Sequence, residues 1–269
     1  MLIFKENFIR RGILFNTINT SLEEFLNKKI ARSNVSLDNK TRISVITCTN
    51  RDYSLNNILD NFLRQDFIEK EIIIIINNNK IDLKKWENTT SKYKNIRIYK
   101  LDERLSLGRC LNFGVNKAKY EIIAKFDDDD YYGPKYLSDS IKNFHISNAD
   151  IVGKHTIFVY FIDDNFLAIK DIDHENQYVH FVNGSTLMFK KNIFTKVGFR
   201  NISVNEDVMF CKDCIKNGFR VYSGNKYHYA YIRYPLSHGH TWKIRNHSLK
   251  KLFCTSIGEV HDFSKYIDI

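Results

Sequence analysis

Proline is almost missing from this chain, at 2 residues in 269, and glycine is sparse at 11. So little of either excludes a collagen-like or Pro/Gly-rich disordered polypeptide. Long apolar runs are missing too. The longest purely aliphatic run is Ile72–Ile76, far below the ~20 residues a membrane-spanning helix needs. Cysteine is too scarce and irregular for a disulfide framework. There are five, an odd number without repeating spacing, which points to a reduced, cytoplasmic setting. Cys211 and Cys214 share a helix face, and with no second pair for zinc they read as core packing. Met1 to Asn16 lacks the unbroken apolar stretch of a secretory leader, because Lys5, Glu6, Arg10 and Arg11 interrupt it. No recognisable nucleic-acid-binding module occurs, so nucleic acid is not expected as a partner.

What is present fits a globular enzyme-sized unit. Apolar residues make up 43% and include 15 Tyr and 20 Phe, enough for one large domain or one domain with an extension. The net charge is +10, with basic patches at Arg10-Arg11, Lys28-Lys29, Lys84-Lys85, Lys190-Lys191 and Lys243 to Lys251. A basic surface favours an anionic partner: a nucleotide diphosphate, an anionic polymer, or peripheral contact with an acidic membrane face.

Residues 1–41 read as an N-terminal helical extension. Leu22, Phe25, Leu26 and Ile30 recur at helical spacing, and Ser21 with Glu24 forms a capping box. From Arg42 strand and helix signals alternate. Ile43–Cys48 predicts a strand, and Leu55, Ile58, Leu59, Phe62 and Leu63 mark an amphipathic helix. Glu71–Ile76 is a β-branched run of the kind found in a strand covered on both faces. A short helix around Leu83 and Trp86, a strand at Ile96–Tyr99, a helix through Leu107, Leu111, Val115 and Ala118, and a strand at Ile122–Phe126 complete an open α/β sheet. Ligands on such sheets bind beyond the carboxyl ends of the strands, at the switch point. Those ends carry Thr49-Asn50-Arg51, Asn77-Asn78-Asn79 and an aspartate run, and all three could line one cleft. Residues 134–245 are mixed in character: a helix from Pro134 to Phe144, a hairpin from Ile151–Tyr160 to Phe166–Ile169, a strand at Ser185–Phe189, a helix starting at Asn205-Glu206-Asp207, and strands at Phe219–Tyr222 and Tyr227–Arg233. The tail, 246–269, reads as helical.

The run Lys125-Phe126-Asp127-Asp128-Asp129-Asp130-Tyr131-Tyr132 is the most informative stretch. Four consecutive carboxylates at the mouth of a buried strand raise one another's pKa unless a cation sits among them. Oxygen-only ligands at short spacing suit Mg²⁺ or Mn²⁺, which takes one or two carboxylates plus substrate phosphates. The alternative is a solvated acidic loop. The strand before the run and the helix after it argue against that.

Six segments in fixed order now stand out: Ile43–Arg51, Glu71–Asn78, Gly108–Lys119 with Asn112 and Gly114, Ala124–Pro134, Gly184–Phe189 with Val197-Gly198-Phe199, and Asn205-Glu206-Asp207. Together they resemble the family 2 glycosyltransferases, over residues 42–245. A narrower similarity, to spore-associated bacterial members, rests on Ala124–Tyr132. Cys48 departs from the pattern by standing where the family's proline is usual. The resemblance implies a GT-A fold, a Rossmann-like, mostly parallel α/β sheet (42–133) with a mixed acceptor-side half. It implies inverting transfer from a nucleotide-diphosphate sugar to a glycan or other hydroxyl acceptor, in cell-surface, spore or polysaccharide synthesis. Thr49, Asn50, Arg51, Asn77, Arg109, Asp127 and Asp128 would contact the nucleotide sugar. Asp129 and Asp127 would hold Mn²⁺ or Mg²⁺, with His238 or His240 as a third ligand. Asp207 would be the general base, with Glu206 as runner-up. Asn77 stands near where the family often has Asp, which leaves UDP as the default and dTDP as the alternative. For Arg109 the competing reading is a solvated side chain; for His238 and His240 it is surface filling.

Two rival functions are weighed. A nucleotidyltransferase needs a glycine-rich loop after the first strand, and Thr47-Cys48-Thr49-Asn50-Arg51-Asp52 contains no glycine. A catalytically inactive module of the same fold, docking an anionic polymer or partner, would have no need of both carboxylate clusters.

Overall fold

The computed structural model describes residues 41–235 and 243–269. The predicted N-terminal helix, His238, His240 and Trp242 lie outside the described residues. An eight-stranded sheet runs in the order β3-β2-β1-β4-β10-β6-β11-β9. Its strands are β1 (Ile43–Thr49), β2 (Lys70–Ile76), β3 (Ile96–Lys100), β4 (Ile122–Lys125), β6 (Ile151–Gly153), β9 (Gln177–Tyr178), β10 (Met188–Lys190) and β11 (Val221–Ser223). The first four are parallel, and β10 enters antiparallel between β4 and β6. The chain steps outward from β1 to β3, then returns to the other side of β1 as β4. That reversal is the switch point.

Strand alternation explains the layers. On β2, Ile72, Ile74 and Ile76 face a core shared with helices α1 (Leu55–Leu63), α2 (Leu83–Thr90) and α4 (Tyr136–Ser147). Ile73 and Ile75 face the core under α3 (Leu107–Lys117) and α5 (Glu206–Lys216). All five isoleucines are fully buried, as a strand covered on both faces requires. Helix α3 lies close to the sheet because Gly114 has no side chain; a Cβ there would meet Ile46 Cγ2 at 2.6 Å. Cys211 and Cys214 are buried and unpaired by disulfide, packed in the second core as expected.

A smaller sheet, in the order β13-β8-β7-β12-β5, packs beyond it. It comprises β5 (Tyr131–Tyr132), β7 (Ile157–Phe161), β8 (Phe166–Lys170), β12 (Tyr229–Arg233) and β13 (Cys254–Glu259). Several predicted boundaries shift here. The strand expected over 151–160 divides at Lys154: β6 joins the large sheet, and β7 forms the hairpin with β8 around left-handed Asn165. Pro134 precedes α4 instead of opening it, because the backbone first turns at Gly133. The segment 184–186 is a 3-10 turn, not strand. The tail is not all helical: α6 (Asn246–Phe253) leads into the edge strand β13, then the short helix α7 (Ser264–Ile267). Among the described residues no helix is long and apolar enough to cross a membrane.

Candidate active site

The carboxyl ends of β1 and β4 and the start of α5 converge on a cleft of about 530 Å³. Thr49, Asn50, Arg51, Asn77, Asp127, Asp128, Asp129, Glu206 and Asp207 all line it. Arg109 does not: it is exposed on α3, where its N–H caps back to Ser106 Oγ at 3.2 Å. The two sequence clusters, 80 residues apart, are therefore one site.

The four aspartates differ in their surroundings. Asp128 is buried, ion-paired with Arg51 and hydrogen-bonded by Thr49 Oγ1. Asp130 is more deeply buried and turns away to the small sheet, where it accepts from Tyr229 Oη at 2.6 Å and Ile232 N at 3.1 Å. Burial, then Asp129 and Asp127, push its pKa well above the usual carboxylate range. Asp127 pairs with Lys125. Asp129 Oδ2 lies 3.1 Å from Arg51 Nη1. Burial first, then Asp128, raise Asp129 to about 7, against the pull of Arg51.

The backbone of this run is held from α1. Asn57 Nδ2 donates to the carbonyls of Asp128 (3.0 Å) and Asp130 (3.1 Å), and Asn61 Nδ2 to that of Asp130 (2.8 Å). Asn61 Oδ1 accepts from Tyr132 N at 3.0 Å, and Gln65 Nε2 donates to Gly133 O at 2.9 Å. Asn57 and Asn61 are four apart on one face of α1, and Gln65 follows two residues beyond its end. Sequence reasoning tracked only the apolar residues of this helix. The signal it missed was a row of uncharged amides beside an apolar stripe.

On the opposite wall Glu206 is buried and Asp207 is half-buried. Both sit in the first turn of α5, where the helix dipole favours negative charge. Asp207 Oδ1 accepts from Val208 N at 2.8 Å. Its other oxygen rests against Gly184, where a Cβ would overlap it. Between the two clusters stands Lys125, which sequence reading left without a role. Burial would lower its pKa, but Asp127, Glu206 and Asp207 outweigh that, and the ammonium is held well above its ordinary value. Burial raises Glu206 to about 7, with Lys125 opposing and Asp207 adding to the rise.

Asn77 Nδ2 donates to Asp102 O at 2.7 Å. That leaves the amide oxygen for a donor from a ligand. Among the described residues no group of three or more His, Cys, Asp or Glu is arranged to hold a metal ion by itself.

An open parallel sheet with a polar, carboxylate-lined cleft at its switch point is a nucleotide-binding type of α/β fold. The chain belongs to the glycosyl transferase family 2, whose model matches residues 44–203. Over 165 residues it is 31% identical to the O-antigen biosynthesis glycosyltransferase WbnJ of Escherichia coli, covering 57% of this chain and 63% of that protein. Among solved structures it is similar to S. aureus TarS 1–349. The complex with UDP-GlcNAc gives a TM-score of 0.59 at 16% identity, covering 72% of this chain and 59% of that one. The complex with UDP gives 0.57 at 17%, covering 72% and 61%. The chain therefore spans about three-fifths of the length of these relatives, and the likeness to TarS shows the shared GT-A fold.

Proposed function

We propose that this protein is an inverting glycosyltransferase of polysaccharide synthesis, moving a sugar from a nucleotide-diphosphate sugar to a hydroxyl acceptor. The observation that carries the reading is the meeting of Asp127 and Asp129 with Glu206 and Asp207 across one cleft. WbnJ is an O-antigen glycosyltransferase by name, and TarS has been solved with UDP-GlcNAc and UDP. Both support a nucleotide-sugar donor, with UDP as the default. The engaged amide nitrogen of Asn77 favours uracil or thymine, whose N3–H can donate to its oxygen, over cytosine, which has no proton there.

Asp127 and Asp129 offer the hard oxygen donors that Mg²⁺ or Mn²⁺ takes beside substrate phosphates. The raised pKa of Asp129 marks a carboxylate that added positive charge would relieve. When bound, such an ion supplies positive charge against the diphosphate leaving group. The protein's own residues do the rest. Arg51 and Thr49 fix Asp128 and, with it, the run's position at the end of β1. Asp207, the more open of the two α5 acids, takes the proton of the acceptor hydroxyl as its oxygen bonds to the anomeric carbon and the bond to the diphosphate oxygen breaks. Glu206 and Lys125 form the buried charge set behind it.

Thermal shifts with UDP, dTDP, GDP and CDP, each with and without Mn²⁺, test the donor site. At ~100 times its Kd a ligand stabilises by about 2.7 kcal/mol, and a metal-dependent shift with UDP is expected. Asp207→Asn should keep that shift and lose about 10²–10⁴-fold in turnover. Near-normal turnover in Asp207→Asn would assign the base elsewhere. No nucleotide shift at all would favour the inactive binding module.

A further inference from the structure

The two carboxylate clusters of the cleft are fixed from different helices. The aspartate run is held from α1. The α5 acids follow the segment 198–205, and that segment is clamped between α3 and α5.

Helix α3 grips the segment from its N-cap to its middle. Asn112 Nδ2 donates to Phe199 O at 2.8 Å, and Asn112 Oδ1 accepts from Phe199 N at 2.9 Å. Gly108 N donates to Ile202 O at 3.0 Å, and Leu107 N to Ser203 Oγ at 3.1 Å. Ser106, the N-cap, donates from Oγ to Asn201 Oδ1 at 2.8 Å. The approach is so close that a Cβ on Gly108 would overlap the Arg200 carbonyl oxygen.

The same segment is tied to α5. Arg200 Nε and Nη2 donate to the two carboxylate oxygens of Asp213 at 2.7 and 2.8 Å. The ring of Phe199 stacks on Phe210, with centroids 4.3 Å and planes 21° apart. Phe210 lies three residues after Asp207, about one helical turn away. The chain turns into α5 at Asn205, whose backbone is left-handed at φ 60°. What holds Phe199 and Arg200 therefore sets where the first turn of α5 begins and how it points.

Asn112 is the centre of this clamp. It stands inside α3, where asparagine is a weaker helix former than alanine or leucine, and it does not line the cleft. Both ends of its amide are spent on the main chain of one residue. Two bonds to Phe199 fix its orientation as well as its position.

Resting on the glycosyltransferase reading above, we propose that Asn112 is a positioning residue for proton transfer: it holds Phe199, Phe199 packs on α5, and α5 aims Asp207 at the acceptor hydroxyl. A general base works within hydrogen-bond reach of the proton it takes, about 2.6–3.2 Å. A displacement of ~1 Å costs about 10²-fold in rate. The aspartate run keeps its separate hold from α1, so loss of Asn112 acts on the chemical step and not on donor binding.

The test uses the full chain with Mn²⁺ and reads UDP release from UDP-glucose, UDP-galactose and UDP-N-acetylglucosamine, with water standing in for the acceptor hydroxyl. Asn112→Ala should lower kcat about tenfold, with the donor KM and the UDP thermal shift unchanged. Asn112→Asp keeps an acceptor for Phe199 N and should lose less. Asn201→Ala, at the exposed edge of the clamp, should give a smaller fall of the same kind, and it carries the test if neither Asn112 variant folds. Hydrogen exchange adds a readout without turnover: in Asn112→Ala, peptides within 198–210 should exchange faster, and those within 124–134 should not. The proposal is overturned if exchange at 198–210 is unchanged or if kcat equals that of the parent. It is overturned as well if KM rises and the UDP shift shrinks in step with kcat, as a general loosening of the fold would give. A parent chain that neither shifts with UDP nor turns over any of the donors would instead strike the glycosyltransferase reading.

Discussion

The aspartates of the run between β4 and β5 differ in their partners, with Asp129 sharing Arg51 with Asp128, and the partner decides what the carboxylate can do. Asp128 is matched by Arg51, Asp130 by a tyrosine hydroxyl and a backbone N–H, and Asp127 by Lys125. Identical side chains one residue apart thus differ in charge, exposure and reach. The same holds for the α5 pair, where Glu206 is buried and Asp207 half-buried. Glu206 leads to a pH prediction. Its folded-state pKa, about 7, lies above the ordinary 4.5, so the folded state holds the proton more tightly. Its contribution to stability is complete below about pH 4.5 and is lost as pH rises through about 7. Glu206→Gln removes that titration. Melting temperatures from pH 4.5 to 8 should fall less steeply in the variant than in the parent; parallel curves would show that the group titrates normally. The structure brings these residues together at one cleft, and the carboxylate cluster after a buried strand is visible as text. The sequence could not assign them individually, because their partners Arg51, Tyr229 and Lys125 come from three different segments.

At the scale of elements, the apolar periodicities of α1, α3 and the first four strands were legible, and their observed limits differ by a residue or two. Longer-range choices were not. Nothing local tells Ile151–Gly153 to join one sheet and Ile157–Phe161 another, because both stretches carry strand-forming residues that suit either. The amide row on α1 is a further case. Asn61 reads as a solvent-facing polar residue, yet it is 1% exposed and saturates the backbone of the aspartate run. Asn61→Leu would take the acceptor from the buried Tyr132 N–H and leave the Asp130 carbonyl to Asn57 alone. Urea unfolding should show a loss of about 1–3 kcal/mol, and the donor KM should rise because the run is no longer fixed. A variant equal to the parent in both would mean that the loop is held from elsewhere.

At the scale of the whole molecule, the small sheet and the tail brace the aspartate loop. Asp268 accepts from Tyr131 Oη at 2.5 Å and packs against Gly133, and His228 N donates to Ile267 O at 3.0 Å. No motif announces this clasp, since Tyr131 and Asp268 are 137 positions apart. Hydrogen bonds to a charged group contribute ~1.5–3 kcal/mol. In a protein of this size that is roughly 3–10 °C. Asp268→Ala should therefore melt several degrees earlier in differential scanning fluorimetry, and Asp268→Asn, which keeps an acceptor, less so. Equal melting of all three would remove the clasp from the account.

The amides of Asn57 and Asn61 on α1 and of Gln65 just beyond it grip the aspartate run by its main chain: the carbonyls of Asp128, Asp130, Tyr132 and Gly133 and the amide of Tyr132. A scaffold that recognises backbone is indifferent to the letters it carries. The half-buried corners of the run, Asp127 and Asp129, are thus open to rewriting with other residues while the path of the loop stays set. For protein engineering that separates two problems usually tangled in loops, keeping the shape and changing the chemistry.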